Sequence, residues 1–363
     1  MKKLISLLMC LALALGLLAA CGETNGAAAE RGETVTFTDS AGRRVEVPAE
    51  ITRVAPSGAV ATMFLASVCP EYMVCIASTP SSSQYKYFDP ALLRLPTTGQ
   101  LYGSKSTINL ESLMSADPQV IIDLGDSKDG IGSDMNALQK QTGIPTVFIE
   151  ADLAHMAQAF RMLGELLYGK AERCEELAAY VEETVSLAEE NALRIPQSER
   201  ARVMYTTGVS GLNTNAEGST QAQVIGLVGA VNAVTVDDVS NKGGGNPINM
   251  EQLYIYDPDV ILFAAGSMYA DAADDPAWSQ VRAVREGRYY EIPALPYNWM
   301  SSPPSLNMLL GIRWLGNLLY PDVYDYDMAA EAQRAYKLLW DYELGGEEAA
   351  ELLSRSTLRE TGP

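Results

Sequence analysis

From residue 34 onward the chain alternates short apolar runs with amphipathic stretches. The runs over 53–57, 73–77, 120–123 and 146–149 are bounded by Gly, Pro or Ser and predict strands. Between them, 59–67, 109–115 and 133–142 carry helical periodicity. Strand–helix alternation of this kind predicts a parallel sheet with helices on both faces. Ahead of it, 36–47 turns at Ser40-Ala41-Gly42 and predicts an entry hairpin.

The pattern then changes. Residues 154–168 and 170–194 predict two helices separated by Gly169. In the second, Leu177, Val181, Val185 and Ala188 fall on one face, while Glu182, Glu183, Glu189 and Glu190 crowd the other. At ~1.5 Å per residue this helix is roughly 37 Å long, enough to cross from one lobe to another. Pro196 closes it. The alternation restarts beyond it, with strands over 202–206, 260–263 and 289–292. Helices are predicted over 220–228, 249–255, 305–319, 328–340 and 347–355. The expected fold is α/β: two Rossmann-like lobes with parallel sheets, joined by a single long helix, with a ligand cleft between them.

The N-terminus changes the picture. Lys2 and Lys3 precede an apolar run from 4 to 20 that ends Leu18-Ala19-Ala20-Cys21. A short positive region, an apolar core and small residues at its end form an export signal. The run is short for a membrane span and lacks a basic stop-transfer flank. The Leu-Ala-Ala-Cys ending resembles the lipobox of bacterial lipoproteins, which implies diacylglycerol on the Cys21 sulfur and cleavage just before it. Buried acyl groups then hold the chain at a membrane. The expected organisation is signal and lipidation site over 1–21, tether over 22–33, N-terminal lobe over 34–168, connecting helix over 169–196 and C-terminal lobe over 197–363.

The formal net charge of −20 argues against nucleic acid as a partner and leaves no basic patch for anionic lipid. With Cys10 in the signal and Cys21 at its end, Cys69, Cys75 and Cys174 remain. Three thiols do not pair completely within one chain; a Cys69–Cys75 bridge stays open, and no zinc-type spacing occurs.

Two segments nearly repeat each other. Ile108-Asn109-Leu110-Glu111 leads to Asp117-Pro118, and Ile248-Asn249-Met250-Glu251 leads to Asp257-Pro258. Both acids recur at an offset of 140 positions (251 − 111 and 257 − 117). Asn suits an N-cap, the Glu suits the first helical turn, and Asp-Pro turns the helix into a strand. With the lipobox, Gly143-Ile144-Pro145, the long helix, Asp275-Pro276-Ala277-Trp278 and the run from Trp314 to Pro321, this order of motifs resembles a family. It is the substrate-binding proteins of ABC importers with a helical backbone between lobes, which carry iron-siderophores, haem and cobalamin. The resemblance covers about residues 34 to 340. It implies permease subunits as partners and a transporter-docking role for Glu111 and Glu251. It also implies no catalysis and no resident cofactor. Two carboxylates on separate lobes can report lobe spacing to a partner; the plainer reading is helix-start electrostatics alone.

Ligands of open α/β sheets bind beyond the carboxyl ends of the strands. The loops expected there carry Tyr85, Tyr87, Tyr102, Lys105, Lys128, Tyr297 and Trp299. Tyr85, Tyr102, Lys128, Trp299, Ser301 and Ser302 are the candidate ligand contacts. Trp299 also suits a packed loop anchor, and Lys105 a solvated surface. The expected cargo is a metal-bearing complex: an iron-siderophore, haem or a corrinoid. A small oxyanion such as molybdate or tungstate is the alternative, and an extracytoplasmic enzyme on the same fold a further one. His155 is the only histidine, so neither a bare transition-metal site nor a Ser-His-Asp hydrolase is expected, and His155 is read as structural. Gly243-Gly244-Gly245 lacks the Lys-Ser/Thr of a phosphate loop and is read as a flexible loop. Lobes on one stiff helix are expected to rock slightly rather than close fully.

Overall fold

The entry hairpin forms first along the chain: β1 (Thr34–Thr38) pairs antiparallel with β2 (Arg44–Pro48), setting Phe37 opposite Val45. Its turn is fixed by Asp39, whose buried carboxylate accepts from the Ala41 and Arg43 amides and pairs with the Arg43 guanidinium at 2.8 Å. The same carboxylate accepts from the Phe148 amide, welding the hairpin to the lobe behind it. The structure is a computed structural model and describes residues 33–102, 106–241 and 244–357. The export signal, Cys21, Lys105 and Gly243 lie outside the described residues.

The N-terminal lobe is built on β3 (Val54–Pro56), β4 (Val120–Gly125) and β5 (Thr146–Glu150), all parallel, in the order β3-β4-β5. Helices α1 (Ala59–Val68), α2 (Leu110–Ser115), α3 (Ile131–Thr142) and α4 (Met156–Leu166) cover it. The strand expected over 73–77 is reduced to isolated parallel bridges, Val54 to Met73 and Ile76 to Thr97. Its partner segment contains Pro96, which has no N–H to extend a ladder. Cys69, Cys75 and Cys174 are all free and buried, so no Cys69–Cys75 bridge forms.

Helix α5 (Ala171–Leu193) spans 23 residues, or ~35 Å. It lies against α4, and Gly164 permits the close approach: a Cβ there would sit 3.1 Å from Ala171 Cα and Cys174 Cβ. Of the predicted apolar face, Leu177, Val181 and Ala188 are buried and Val185 is half-buried.

The C-terminal lobe has six strands: β6 (Arg202–Thr207), β7 (Asn213–Thr214), β8 (Val231–Asn232), β9 (Asn246–Pro247), β10 (Val260–Phe263) and β11 (Tyr289–Glu291). Their order is β11-β10-β6-β7-β9, with β8 also on β6. β8, β10 and β11 run parallel to β6; β7 alone runs against it, and β9, antiparallel to β7, returns to the β6 direction. The sheet is therefore mixed. β7 and β9 have two residues each, too few for any period-2 alternation to register.

Helices α6 (Gln223–Leu227), α7 (Met250–Tyr256), α8 (Arg282–Arg285), α9 (Asn307–Leu319), α10 (Met328–Trp340) and α11 (Gly346–Leu353) complete the chain. The helix expected over 220–228 divides into a 3-10 turn, Thr220–Ala222, and α6. α9 is buried almost all round. Gly311 lets it pass the loop before it, since a Cβ there would meet Trp299 O at 2.2 Å. α9 and α10 hold α5 through charge: Arg313, its side chain 3% exposed, reaches Glu183 at 2.8 Å and Glu331 at 2.9 Å.

Candidate functional site

The carboxyl ends of β3, β4 and β5 meet at one edge of the N-terminal lobe, and those of β6, β10 and β11 at the facing edge of the other. On the N-terminal side, the chain leaves β3 at Ser57, whose hydroxyl donates to the buried Asp123 carboxylate. Burial pushes the Asp123 carboxyl up, opposed by that hydrogen bond and by the Lys128 charge. Lys128 lies over the Tyr102 ring, 3.5 Å from its centroid. The Tyr102 hydroxyl donates to Asp134 at 2.8 Å. Burial and that contact with Asp134 push the phenol up.

Asp126 follows β4 and meets the opposite lobe: the Thr220 hydroxyl donates to its carboxylate at 3.4 Å. Burial and the neighbouring Asp152 charge raise its pKa, opposed by Thr220 and Lys128. At the end of β5 stand Glu150, Asp152 and His155, their ligand atoms within 4.8 Å of one another. His155 caps α4; its Nδ1 lies 2.7 Å from Asp152 Oδ1, and that hydrogen bond raises the imidazole pKa.

Among the described residues, the facing wall offers neutral polar groups. Thr220 N–H donates to Asn241 Oδ1 at 2.9 Å, Gln221 Nε2 to Asn241 O at 3.2 Å, and the Thr207 hydroxyl to Gly244 O at 3.2 Å. Behind them, Asn215, Ser219 and Gln221 are buried. Both amide atoms of Asn215, Ser219 Oγ and Gln221 Oε1 make no hydrogen bond among the described residues. At one end of the cleft the lobes touch: Gln84 donates to Pro296 O at 2.5 Å, and the Phe88 and Tyr297 rings are 6.0 Å apart. A cavity of 240 Å³ there is lined by Ala59, Thr62, Ala77 and Gln84 from one lobe and Tyr297 and Pro303 from the other. A larger cavity, 900 Å³, lies at the far end of α1 between α5 and α10, away from the strand ends. Size therefore does not choose the site here; position at the strand termini does.

The candidate contacts divide. Tyr102 and Lys128 come together as one unit. Tyr85 is 43% exposed at the start of a 3-10 turn, next to Gln84, and Ser302 is exposed. Trp299 and Ser301 differ from expectation. Trp299 is fully buried, its indole N–H donating to Leu295 O at 3.3 Å, so it anchors its loop and offers no surface to a ligand. Ser301 is buried beside the Tyr205 phenol. Glu111 and Glu251 are both exposed in the first turns of α2 and α7. Each helix start is tied to its own lobe: Asn109 N–H donates to Thr98 O, and Ile248 N–H to Leu212 O. Asp126, Glu150, Asp152 and Thr220 were not among the candidate contacts, although polar residues just past apolar strands are where such sites form.

The model of the periplasmic binding protein family matches residues 54–295, and the chain belongs to that family. An ABC transporter solute binding protein from Sulfurospirillum deleyianum has a similar structure: TM-score 0.81, 25% identity, 88% of this chain and 99% of that one covered. The molybdate-bound MolA of Haemophilus influenzae gives TM-score 0.69 at 18% identity over 86% and 99% of the two chains. The haem-binding RhuT of Roseiflexus gives 0.54 at 19% over 76% and 99%. Among curated protein sequences, none matches this chain. The protein is thus an extracytoplasmic binding component of an ABC transporter, working by capture and delivery rather than by catalysis. No helix among the described residues is long and apolar enough to cross a membrane.

Proposed function

We propose that this chain captures a metal-bearing complex without net negative charge, of the iron-siderophore or corrinoid kind, and passes it to its permease. The observation that carries this reading is the charge of the N-terminal cleft wall. Among the described residues there, Asp126, Glu150 and Asp152 stand against Lys128, whose ammonium lies over the Tyr102 ring. A wall with that surplus repels molybdate, tungstate and the carboxylates of haem, and favours a neutral or cationic guest. The facing Thr and Asn groups offer hydrogen bonds without charge. Cys21 supplies the lipid anchor, and Glu111 and Glu251, on the two rims, meet the permease.

Thermal unfolding with a panel of ligands tests the cargo, because a ligand that binds only the folded state raises the midpoint with concentration. A rise with a neutral or cationic ferric-siderophore or corrinoid, and none with molybdate, is expected. A rise with molybdate or tungstate alone overturns the assignment of charge and cargo together.

A further inference from the structure

We propose that Glu150, Asp152 and His155 form a site for a divalent transition-metal ion on the rim of the N-terminal lobe. A lone histidine rarely makes a metal site by itself. The fold supplies what the spacing does not show. Glu150 is the last residue of β5, its amide donating to Ser40 Oγ at 2.9 Å, and His155 is the N-cap of α4. The segment between them is short and tied down, with the His155 amide donating to Asp152 Oδ1 at 2.9 Å. Strand end and helix start together hold an imidazole nitrogen and two carboxylates within 4.8 Å of one another.

Two further observations point to a cation there. Asp126 lies near enough for its charge to act on Asp152, so the local surplus of negative charge is larger than the three ligands alone provide. His155 is exposed and Glu150 and Asp152 are half-buried, so an ion has an entry path and open positions for water or a donor from the cargo. One nitrogen and two oxygens suit zinc, nickel or cobalt better than calcium or magnesium, which prefer oxygen throughout. The site shares Glu150 and Asp152 with the cleft wall, so a bound divalent ion offsets part of the negative surplus on which the cargo reading rests.

Because His155 is the only histidine, its ring protons report without ambiguity. The experiment titrates zinc chloride into the chain lacking residues 1–21, which keeps every described element, and follows the imidazole resonances. The expected result is a saturable shift complete within a few-fold molar excess. Asp152→Asn and Glu150→Gln should each weaken it at least tenfold, with an unchanged fold confirmed by amide spectra. Ring resonances that stay still at a tenfold excess overturn the proposal. So does an affinity that both variants leave within twofold of the parent, or one that magnesium matches.

Discussion

The two lobes repeat one local design and then part company. In the first, Asn109 caps α2 through the Ser112 amide at 3.0 Å; in the second, Asn249 caps α7 through Gln252 at 2.8 Å, with Gln252 answering to complete a capping box. Both units end on an aspartate with positive φ, 52° at Asp117 and 38° at Asp257, directly before proline. Both aspartates pair with arginine, Asp117 with Arg53 at 3.3 Å and Asp257 with Arg282 at 3.0 Å, although the arginines come from unrelated places in the chain. The helix–turn–strand unit, with its exposed glutamate, is held alike. The cleft faces are not: one wall carries the acids and the other neutral amides and hydroxyls. Likeness resides at the two helix starts with their exposed glutamates, and difference at the strand-end faces between the lobes.

α5 joins the two lobes, alongside the direct contact of Gln84 with Pro296. Its contacts with the two lobes are unequal. Toward α4 it offers Glu175 and Glu182 to Arg161, exposed pairs of the kind that contribute little. Toward α9 and α10 it offers Glu183 and Thr184 to the buried Arg313. Arg313→Ala should therefore have the largest effect, destabilising by about 3 kcal/mol, since it strands Glu331 and removes a buried pair. Denaturant unfolding followed by fluorescence and by circular dichroism should show one shifted transition. Two separate transitions would mean that the lobes fold independently.

Likeness on the rims is tested by function. Glu111→Ala combined with Glu251→Ala should lower transport at least tenfold in reconstituted vesicles while leaving ligand affinity within twofold. Normal transport by the double variant would reduce the repeat to two well-capped helices. An equal loss from each single variant would fit the lobes' matching geometry, whereas a loss from only one would show that the permease reads them unequally.

Much of this was legible in the sequence because it rests on local chemistry. The Asn-x-Glu helix starts and Asp-Pro exits were visible as caps and turns. The long α5 was visible as period and length, and the alternation fixed the α/β class. What escaped depends on tertiary placement. Trp299 resembles a ligand-facing aromatic until Gly311 brings α9 against its backbone and closes it in. Asp126 and Thr220 are 94 positions apart, and nothing local marks them as partners across the cleft. Glu150 reads as the polar end of a strand, and only the turn to α4 folds His155 back beside it. The antiparallel β7 and β9 are too short to leave a pattern.

The smallest effect sharpens the inequality along α5. Glu183 accepts from Arg334 at 2.7 and 2.6 Å and from Arg313 at 2.8 Å. The Arg334 contacts hold its carboxyl down, at about 2, against the effect of burial and with help from Arg313. A carboxyl whose folded value lies below its unfolded value stabilises the fold above the ordinary glutamate range, about pH 4.3. That contribution is lost as pH falls from there through about 2. The side chain is 38% exposed, so solvent screening limits the contribution to about 1 kcal/mol at neutral pH. Glu183→Gln should lower stability by that amount at pH 7 and by progressively less toward pH 2, where the two proteins converge. A constant difference across that range would mean that Glu183 acts through packing or hydrogen-bond geometry instead of charge. The tie between α5 and the C-terminal lobe would then rest on Arg313 with Glu331 and Thr184, and the contrast between the two sides of the helix would be one of burial alone.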